Sequence, residues 1–196
     1  MKKGTSIWLL FALCLLVPAT LFAFARWYKS EKHGLPLYHE GNAIPAYTLI
    51  NQDGTPIGNA TGGISVVGFF FTHCTTICPK MIHNLKTVAQ AHPQIDIRTI
   101  SIDPVRDSAG QLKDYAGRFS IPEAHWQLLT GDKKRIYQLA RQSYRIDASE
   151  GAADFIHSDK LVLVDAQQRI RGYYAGTEAA AIQKLILDIK KLQHEN

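Results

Sequence analysis

The chain has 196 residues, 46% of them apolar, with 22 Lys plus Arg against 17 Asp plus Glu. That size and balance fit one domain with a real core, and they exclude a disordered chain, a collagen-like fibre and a multi-span membrane protein. The formal net charge of +5 includes Lys2 and Lys3, which precede an apolar segment, so the remainder is too mild and scattered to indicate a nucleic-acid partner.

Met1-Lys2-Lys3 is followed by an uncharged run from Gly4 to Ala25, which Arg26 ends. About 20 apolar residues span a bilayer as a helix, and positive residues before such a run keep the N-terminus cytoplasmic. Residues 1–25 are therefore expected to be a membrane anchor, with the rest of the chain on the extracytoplasmic, periplasmic side. A signal peptide cut after Ala25 competes, because Ala23-Phe24-Ala25 has the small-x-small pattern, but the run exceeds the usual secretory length of about 7–15 residues. Cys14 lies inside the run, and the bulky Leu13 before it argues against lipidation. Residues 26–43 carry charges, glycines and Pro36 without periodicity and read as a tether. The domain proper is expected over 44–196.

Tyr47–Ile50 reads as a strand entering the turn Asn51–Gly54, with a second short strand near Pro56-Ile57. Gly63–Thr72 is a continuous β-branched and aromatic run, the pattern of a strand covered on both faces. From Pro79, Met81, Ile82, Leu85, Val88 and Ala89 recur at helical spacing. Ile95–Ile102 alternates as a strand, and Ser108–Phe119 reads as a helix with Leu112, Tyr115 and Phe119 on one face. Trp126–Thr130 is a strand, Lys133–Gln142 a helix, Leu161–Val164 and Arg169–Tyr174 strands joined by a turn, and Thr177–Leu192 the last helix. Alternating strands and helices, with a strand pair before the final helix, give an α/β layered sheet. By analogy of element order the expected class is thioredoxin-like, with helices on both faces of the sheet, preceded by one N-terminal transmembrane helix.

The strongest chemical feature is Cys74-Thr75-Thr76-Ile77-Cys78-Pro79, which follows the most apolar strand and opens a helix. Catalytic and ligand sites favour the carboxyl end of a sheet strand. Pro79 suits a first helical position and biases Cys78 away from helical angles, so Cys78 is expected to cap the helix. Both sulfurs then sit at the positive end of the helix dipole, which favours thiolates. Three residues between the cysteines let the sulfurs close a disulfide or diverge around a soft ion such as Cu(I) or Zn(II). A purely structural disulfide is the weaker reading, because so short a loop gains little from cross-linking. A third ligand would be an imidazole. Of eight histidines, His73 flanks Cys74, His83 is a turn into the helix, His33 and His39 lie in the tether, His92 and His125 near loops and His194 in the tail. His157 ends the longest loop, just before strand Leu161–Val164, a place where scaffolds carry ligands. Position alone gives it a slight edge over an ordinary loop histidine.

Phe71-Thr72-His73-Cys74-Thr75-Thr76-Ile77-Cys78-Pro79, then Ser101-Ile102-Asp103-Pro104-Val105-Arg106-Asp107, then His157-Ser158 before Leu161–Asp165, resemble in that order the SCO/SenC family of membrane-anchored copper chaperones for cytochrome oxidase assembly. The resemblance covers the chain from Tyr47 onward. It implies a thioredoxin-like fold and one copper held by Cys74, Cys78 and His157. It implies delivery of that copper to the copper A centre of cytochrome c oxidase, with the oxidase's copper-bearing subunit or another copper-transfer protein as partner, or reduction of that centre's cysteines. Many members carry Pro and Asp between the cysteines, where this chain has Thr75 and Thr76. No acidic residue stands there to favour Cu(II), so Cu(I) is the expected form and Cu(II) stays open. The competing reading is a thiol–disulfide oxidoreductase, in which Cys74 attacks, Cys78 resolves and His157 is dispensable; whether the chain is an enzyme turns on that choice. A peroxidase-like thiol enzyme is a third reading. Asp103 and Asp107 either orient the site or form a turn and a helix cap, and Tyr144 either lines the site or packs.

Overall fold

The computed structural model describes residues 13–22, 24, 34–59, 62–122, 124–146 and 158–195, in two units, Met1–Gly34 and Leu35–Asn196. In the first unit residues 13–22 are helical, with Leu15 and Phe22 exposed. Among the described residues no helix is long and apolar enough to cross a membrane. The rest of the expected anchor, residues 1–12, 23 and 25, lies outside the described residues.

The second unit runs β1 (Thr48–Asn51), β2 (Pro56–Gly58), β3 (Ser65–Phe70), α1 (Ile77–Ala91), β4 (Asp96–Ser101), α2 (Ala109–Arg118), β5 (Trp126–Thr130), α3 (Lys133–Gln138), a π turn (Leu139–Ser143), β6 (Lys160–Val164), β7 (Ile170–Ala175) and α4 (Ala179–Gln193). The strands form one seven-stranded sheet in the order β2-β1-β5-β4-β3-β6-β7. β3, β4 and β5 are mutually parallel at its centre, and the outer strands pair antiparallel. This is the thioredoxin-like α/β arrangement expected from the element order.

All six residues of β3 are buried, because both faces of the sheet are covered. Val66 and Phe70 face α1, α2 and α4, with Met81, Leu85, Leu112, Ile182 and Leu185. Val67 and Phe69 face the other side, with Ile44, Tyr47, Ile136 of α3 and Tyr144. Three helices thus cover one face, and α3 with its π turn covers the other.

The sequence pattern gives one helix over 133–142. In the structure α3 stops at Gln138 and the chain widens into the π turn, where Tyr144 N–H donates to the Leu139 carbonyl at 3.0 Å. The extra residue in that turn swings Tyr144 under the sheet, where its hydroxyl meets that of Tyr47 at 2.9 Å and its ring packs edge-on to Phe69 at 5.6 Å. Tyr144 therefore packs, in the cluster on the sheet face opposite the cysteines.

The part of the expected tether that is described is bonded to the domain. Tyr38 N–H donates to the Ile170 carbonyl at 3.0 Å, Ile44 N–H to the Gln168 carbonyl at 2.7 Å, and Ala43 bridges Arg169. The buried Arg171 guanidinium donates to the Leu35 carbonyl at 2.7 Å, to Glu195 at 2.6 Å and to Asp165 at 3.2 Å. Composition hides this docking, because most of its bonds use backbone groups, which every residue carries.

Gly176 is required by a close approach. A Cβ there would lie 2.6 Å from the Asp159 carbonyl oxygen and 2.8 Å from Met81 Cγ. Gly176→Ala is expected to cost about 2 kcal/mol, within the range of overpacked cores. Urea unfolding checks this, and a variant as stable as the parent would show that the Asp159 backbone moves freely.

Candidate metal and thiol centre

The strand register brings three chain segments to one edge of the sheet. Phe70, the last residue of β3, pairs with Ser101, the last of β4, and Ile102 N–H donates to the Phe70 carbonyl at 2.9 Å. β6 is antiparallel to β3 with Leu161 opposite Gly68, so β6 begins where β3 ends. The cysteine loop, the Asp103–Asp107 loop and the residues entering β6 therefore share the carboxyl end of the parallel strands, the place where such sheets carry their chemistry.

Asp107 is the anchor of that edge. Its carboxylate is fully buried and accepts from Thr72 N–H at 3.0 Å, Thr72 Oγ1 at 2.5 Å and Ser101 Oγ at 2.5 Å. Ser101 Oγ in turn accepts from Asp103 N–H at 3.1 Å, and Asp107 N–H donates to the Asp103 carbonyl at 2.9 Å. Asp103–Asp107 is thus a turn, and its last carboxylate holds the loop that carries the cysteines. The helix cap is Ser108, whose hydroxyl accepts from Gln111 N–H at 3.3 Å.

Past Thr72 the chain turns tightly, with Cys74 N–H donating to the Phe71 carbonyl at 3.2 Å. α1 begins at Ile77, two residues before the expected start, and its N-cap Thr76 makes no side-chain cap bond. The Cys74 sulfur does that work, accepting from Cys78 N–H at 3.3 Å. Cys78 is therefore inside the first turn instead of capping it. Pro79 is tolerated because first-turn N–H groups have no intrahelical partner.

Both cysteines are free thiols and both are buried. Burial pushes the Cys74 thiol up, but hydrogen bonds from the Cys78 thiol and N–H and from Thr76 outweigh it, leaving Cys74 below its ordinary value of 9.0. Burial, and next the donation to Cys74, push Cys78 up to about 12. The two thiols are thus unequal, Cys74 eased towards the thiolate and Cys78 held back from it. Together they are a two-sulfur donor set, soft enough to suit a monovalent copper ion.

Among the described residues no group of three or more His, Cys, Asp and Glu is placed to hold a metal ion. His73 is half exposed, with Nδ1 3.1 Å from Thr72 Oγ1 and 3.8 Å from Asp107. His83 is exposed, His92 bonds the Ile186 carbonyl at 2.9 Å, and His39 bonds the Tyr173 hydroxyl at 2.7 Å. His157, the expected third ligand, lies outside the described residues. The residues just after it are well held. Gly176 N–H donates to the Asp159 carbonyl at 2.7 Å, Thr177 N–H to the Asp159 carboxylate at 2.9 Å, and Asn84 Nδ2 of α1 to the Gly176 carbonyl at 2.8 Å. The entry to β6 is so fastened to the helix that carries Cys78. Thr72 and Ser101 stand in the motifs quoted from the sequence, whereas nothing in the residue pattern marks Asn84 as a neighbour of this edge.

Comparison with known proteins agrees with this layout. Residues 38–194 match the SCO1/SenC family. A SCO1 protein homolog of Bacillus subtilis is 30% identical over 164 residues, 79% of this chain and 83% of its own. BsSco, a member of the Sco family of cytochrome c oxidase assembly proteins studied for a disulfide switch, superposes with a TM-score of 0.73 at 25% identity, over 83% of this chain and 98% of that one. Arabidopsis thaliana ScoI with copper bound gives a TM-score of 0.63 at 25% identity, over 76% and 99% respectively. With a family match that runs from the docked segment before β1 to the end of α4, this chain belongs to the SCO1/SenC family.

Proposed function

We propose that this protein is a membrane-anchored copper metallochaperone of the extracytoplasmic face, serving cytochrome c oxidase assembly. Cys74, Cys78 and His157 would hold one copper, and the acceptor would be the oxidase's copper A site. The observation that carries the reading is the buried pair of free thiols at the head of α1, one of them already below its ordinary pKa. Two sulfurs at a helix N-terminus fit a soft monovalent cation, and the copper-bound relative has the same fold. Asp107 fixes the loop, α1 supplies the dipole, and the described residues that follow His157, from Ser158 on, enter β6 at the same edge. Residues 1–25 would anchor the domain, with 26–43 as the connecting segment before the copper-binding domain 44–196.

Transfer is a ligand exchange. A partner thiolate replaces His157 or one cysteine at the ion, and the displaced group takes up a proton or turns to solvent. No electron moves in that exchange.

The test is an anaerobic Cu(I) competition titration on the reduced full-length chain, with His157→Ala beside it. Tight one-to-one binding that weakens at least tenfold, about 1.4 kcal/mol, in the variant is the expected result. Equal binding in both chains would remove His157 from the site.

The unequal thiols favour one second reading, a thiol–disulfide reductase. The Cys74 thiolate would attack a partner disulfide, forming a mixed disulfide and releasing one partner thiolate. Cys78 would then attack the Cys74 sulfur, freeing the second partner thiolate and leaving the Cys74–Cys78 disulfide. That activity would survive His157→Ala.

A further inference from the structure

The pole of the domain opposite the cysteines has a chemistry that the thiol centre does not use. β6 is antiparallel to both β3 and β7, so β7 starts at the edge where the parallel strands start. α4 returns from the far end of β7, which brings its last turn back to that starting edge. Leu35 is fastened there. Its N–H donates to the Glu195 carboxylate at 2.7 Å, and the Arg171 guanidinium donates to Glu195 and to the carbonyls of Leu35 and Pro36.

With those backbone groups turned inward, Pro36, Leu37 and Tyr38 are exposed in a row, Leu37 by 50% and Tyr38 by 38%. The Tyr38 ring is steadied edge-on against Tyr173 at 5.2 Å. The last turn of α4 carries Lys190 and Lys191, His194 follows exposed, and Leu187, 65% exposed, lies one turn before them. The acids of this stretch are engaged. Asp188 accepts from the Tyr174 hydroxyl at 2.7 Å and pairs with Lys184, while Glu195 holds Leu35 and Arg171. Glu40 is the one acid in residues 34–44. Leucine and tyrosine side by side with lysines are the composition that settles into a lipid headgroup layer, the apolar groups at the acyl boundary and the cations on the phosphates.

The position of this pole in the chain says what covers it. Nine residues, 26–34, separate the end of the apolar run from Leu35, and fully extended they reach about 30 Å. With residues 1–25 as the anchor proposed above, on which this inference rests, so short a leash keeps the pole near lipid at high effective concentration, and a weak patch suffices. Arg26, Lys29 and Lys32 add positive charge within the leash, against Glu31. We propose that the pole formed by Leu37, Tyr38 and the last turn of α4 rests on an anionic phospholipid surface and so turns the cysteine edge outward. β3 is six residues long, so the cysteines stand about 20 Å beyond the starting edge, further than the Debye length of about 10 Å over which headgroup charge acts.

The test places the reduced full-length chain in lipid nanodiscs, of phosphatidylcholine alone or of phosphatidylcholine mixed with phosphatidylglycerol, and acetylates its lysines with sulfosuccinimidyl acetate. Mass spectrometry of timed samples follows each site, with Lys80, exposed on the first turn of α1, as the reference at the cysteine pole. Relative to Lys80, Lys190 is expected to react at least fivefold more slowly on the anionic discs than on the neutral ones at low salt. The difference should vanish at about 0.5 M salt, where the Debye length is a few ångströms. Leu37→Glu, which puts an acid into the exposed patch, should at least halve the protection. Equal Lys190 rates on the two lipids overturn the proposal. So does protection that ignores lipid charge and grows with the number of protein chains per disc, which would make a second copy the occupant. A chain that does not enter neutral discs sinks the anchor reading instead. The pole is then judged with phosphatidylglycerol vesicles added to the free protein, where a protected Lys190 upholds it and an unprotected one ends it.

Discussion

Asp107→Ala is expected to lower the unfolding free energy by about 3 kcal/mol and to loosen the cysteine loop together with it. The carboxylate is fully buried and accepts from Thr72 N–H, Thr72 Oγ1 and Ser101 Oγ. Hydrogen bonds to a charged acceptor are worth about 1.5–3 kcal/mol each, and truncation leaves their donors buried without partners. Removing one member of a buried charged network falls in the range of about 3–5 kcal/mol, and part of that is recovered here if water enters. Asp107→Asn should be milder, because one oxygen remains to accept and the amide nitrogen cannot. Urea unfolding of the reduced protein measures both. A loss under about 1 kcal/mol for the alanine variant would show that Thr72 finds another partner and that the loop is held from α1 instead. In the same variant the Cys74 sulfur should lose its fixed distance to Cys78 N–H, and its alkylation rate should fall towards that of a free cysteine.

The second expected result is a steep difference between the two thiols. Iodoacetamide should label Cys74 at least about 30-fold faster than Cys78 at pH 8, in protein carrying Cys14→Ser. Cys74 titrates below 9.0 and Cys78 near 12, a gap of three pH units or more. A lower pKa also weakens the nucleophile with a coefficient of about 0.5, so roughly half of that gap survives as rate. Mass spectrometry of timed samples reads the ratio, and equal labelling would mean that the hydrogen bond between the thiols does not form in solution. The same shift sets the alkaline stability. The unfolded chain releases the Cys78 proton near 9.0 while the folded chain keeps it until about 12. The stability held by the protonated thiol is complete below pH 9 and is lost as pH rises through 12.

Much of the layout can be read from residues because it depends on burial and punctuation. The run Gly63–Thr72 identifies the central strand, since only a strand covered on both faces is so uniformly apolar. The cysteines at its end follow from the same run. The start of α1 could not be read, because capping rules look to Ser, Thr, Asp or Asn, whereas the cap here is a sulfur four residues before the N–H it accepts from. The π turn after α3 was equally hidden, since it answers to the placement of Tyr144 beneath the sheet, a tertiary demand with no local signature. Asp107 was visible as one of two meanings, and the register of β3 with β4 decides between them by setting Ser101 and Thr72 within reach. Tyr115 read only as one more apolar position on a helix face. That its buried hydroxyl has no hydrogen-bond partner among the described residues is a fact of three dimensions.

The docking of residues 35–44 along β7 has a bearing on self-association. An open sheet edge is a template on which another strand can add, and soluble proteins disarm it with cover, with proline or with brevity. Here the incoming chain takes the Ile170 and Gln168 carbonyls of the β7 side for itself. At the far edge β2 has only three residues and opens with Pro56, which has no N–H to offer. Both borders of the sheet are thus poorer templates for a second copy, one because the first carbonyl of β7 is already taken and the other because its strand is short and opens without a donor.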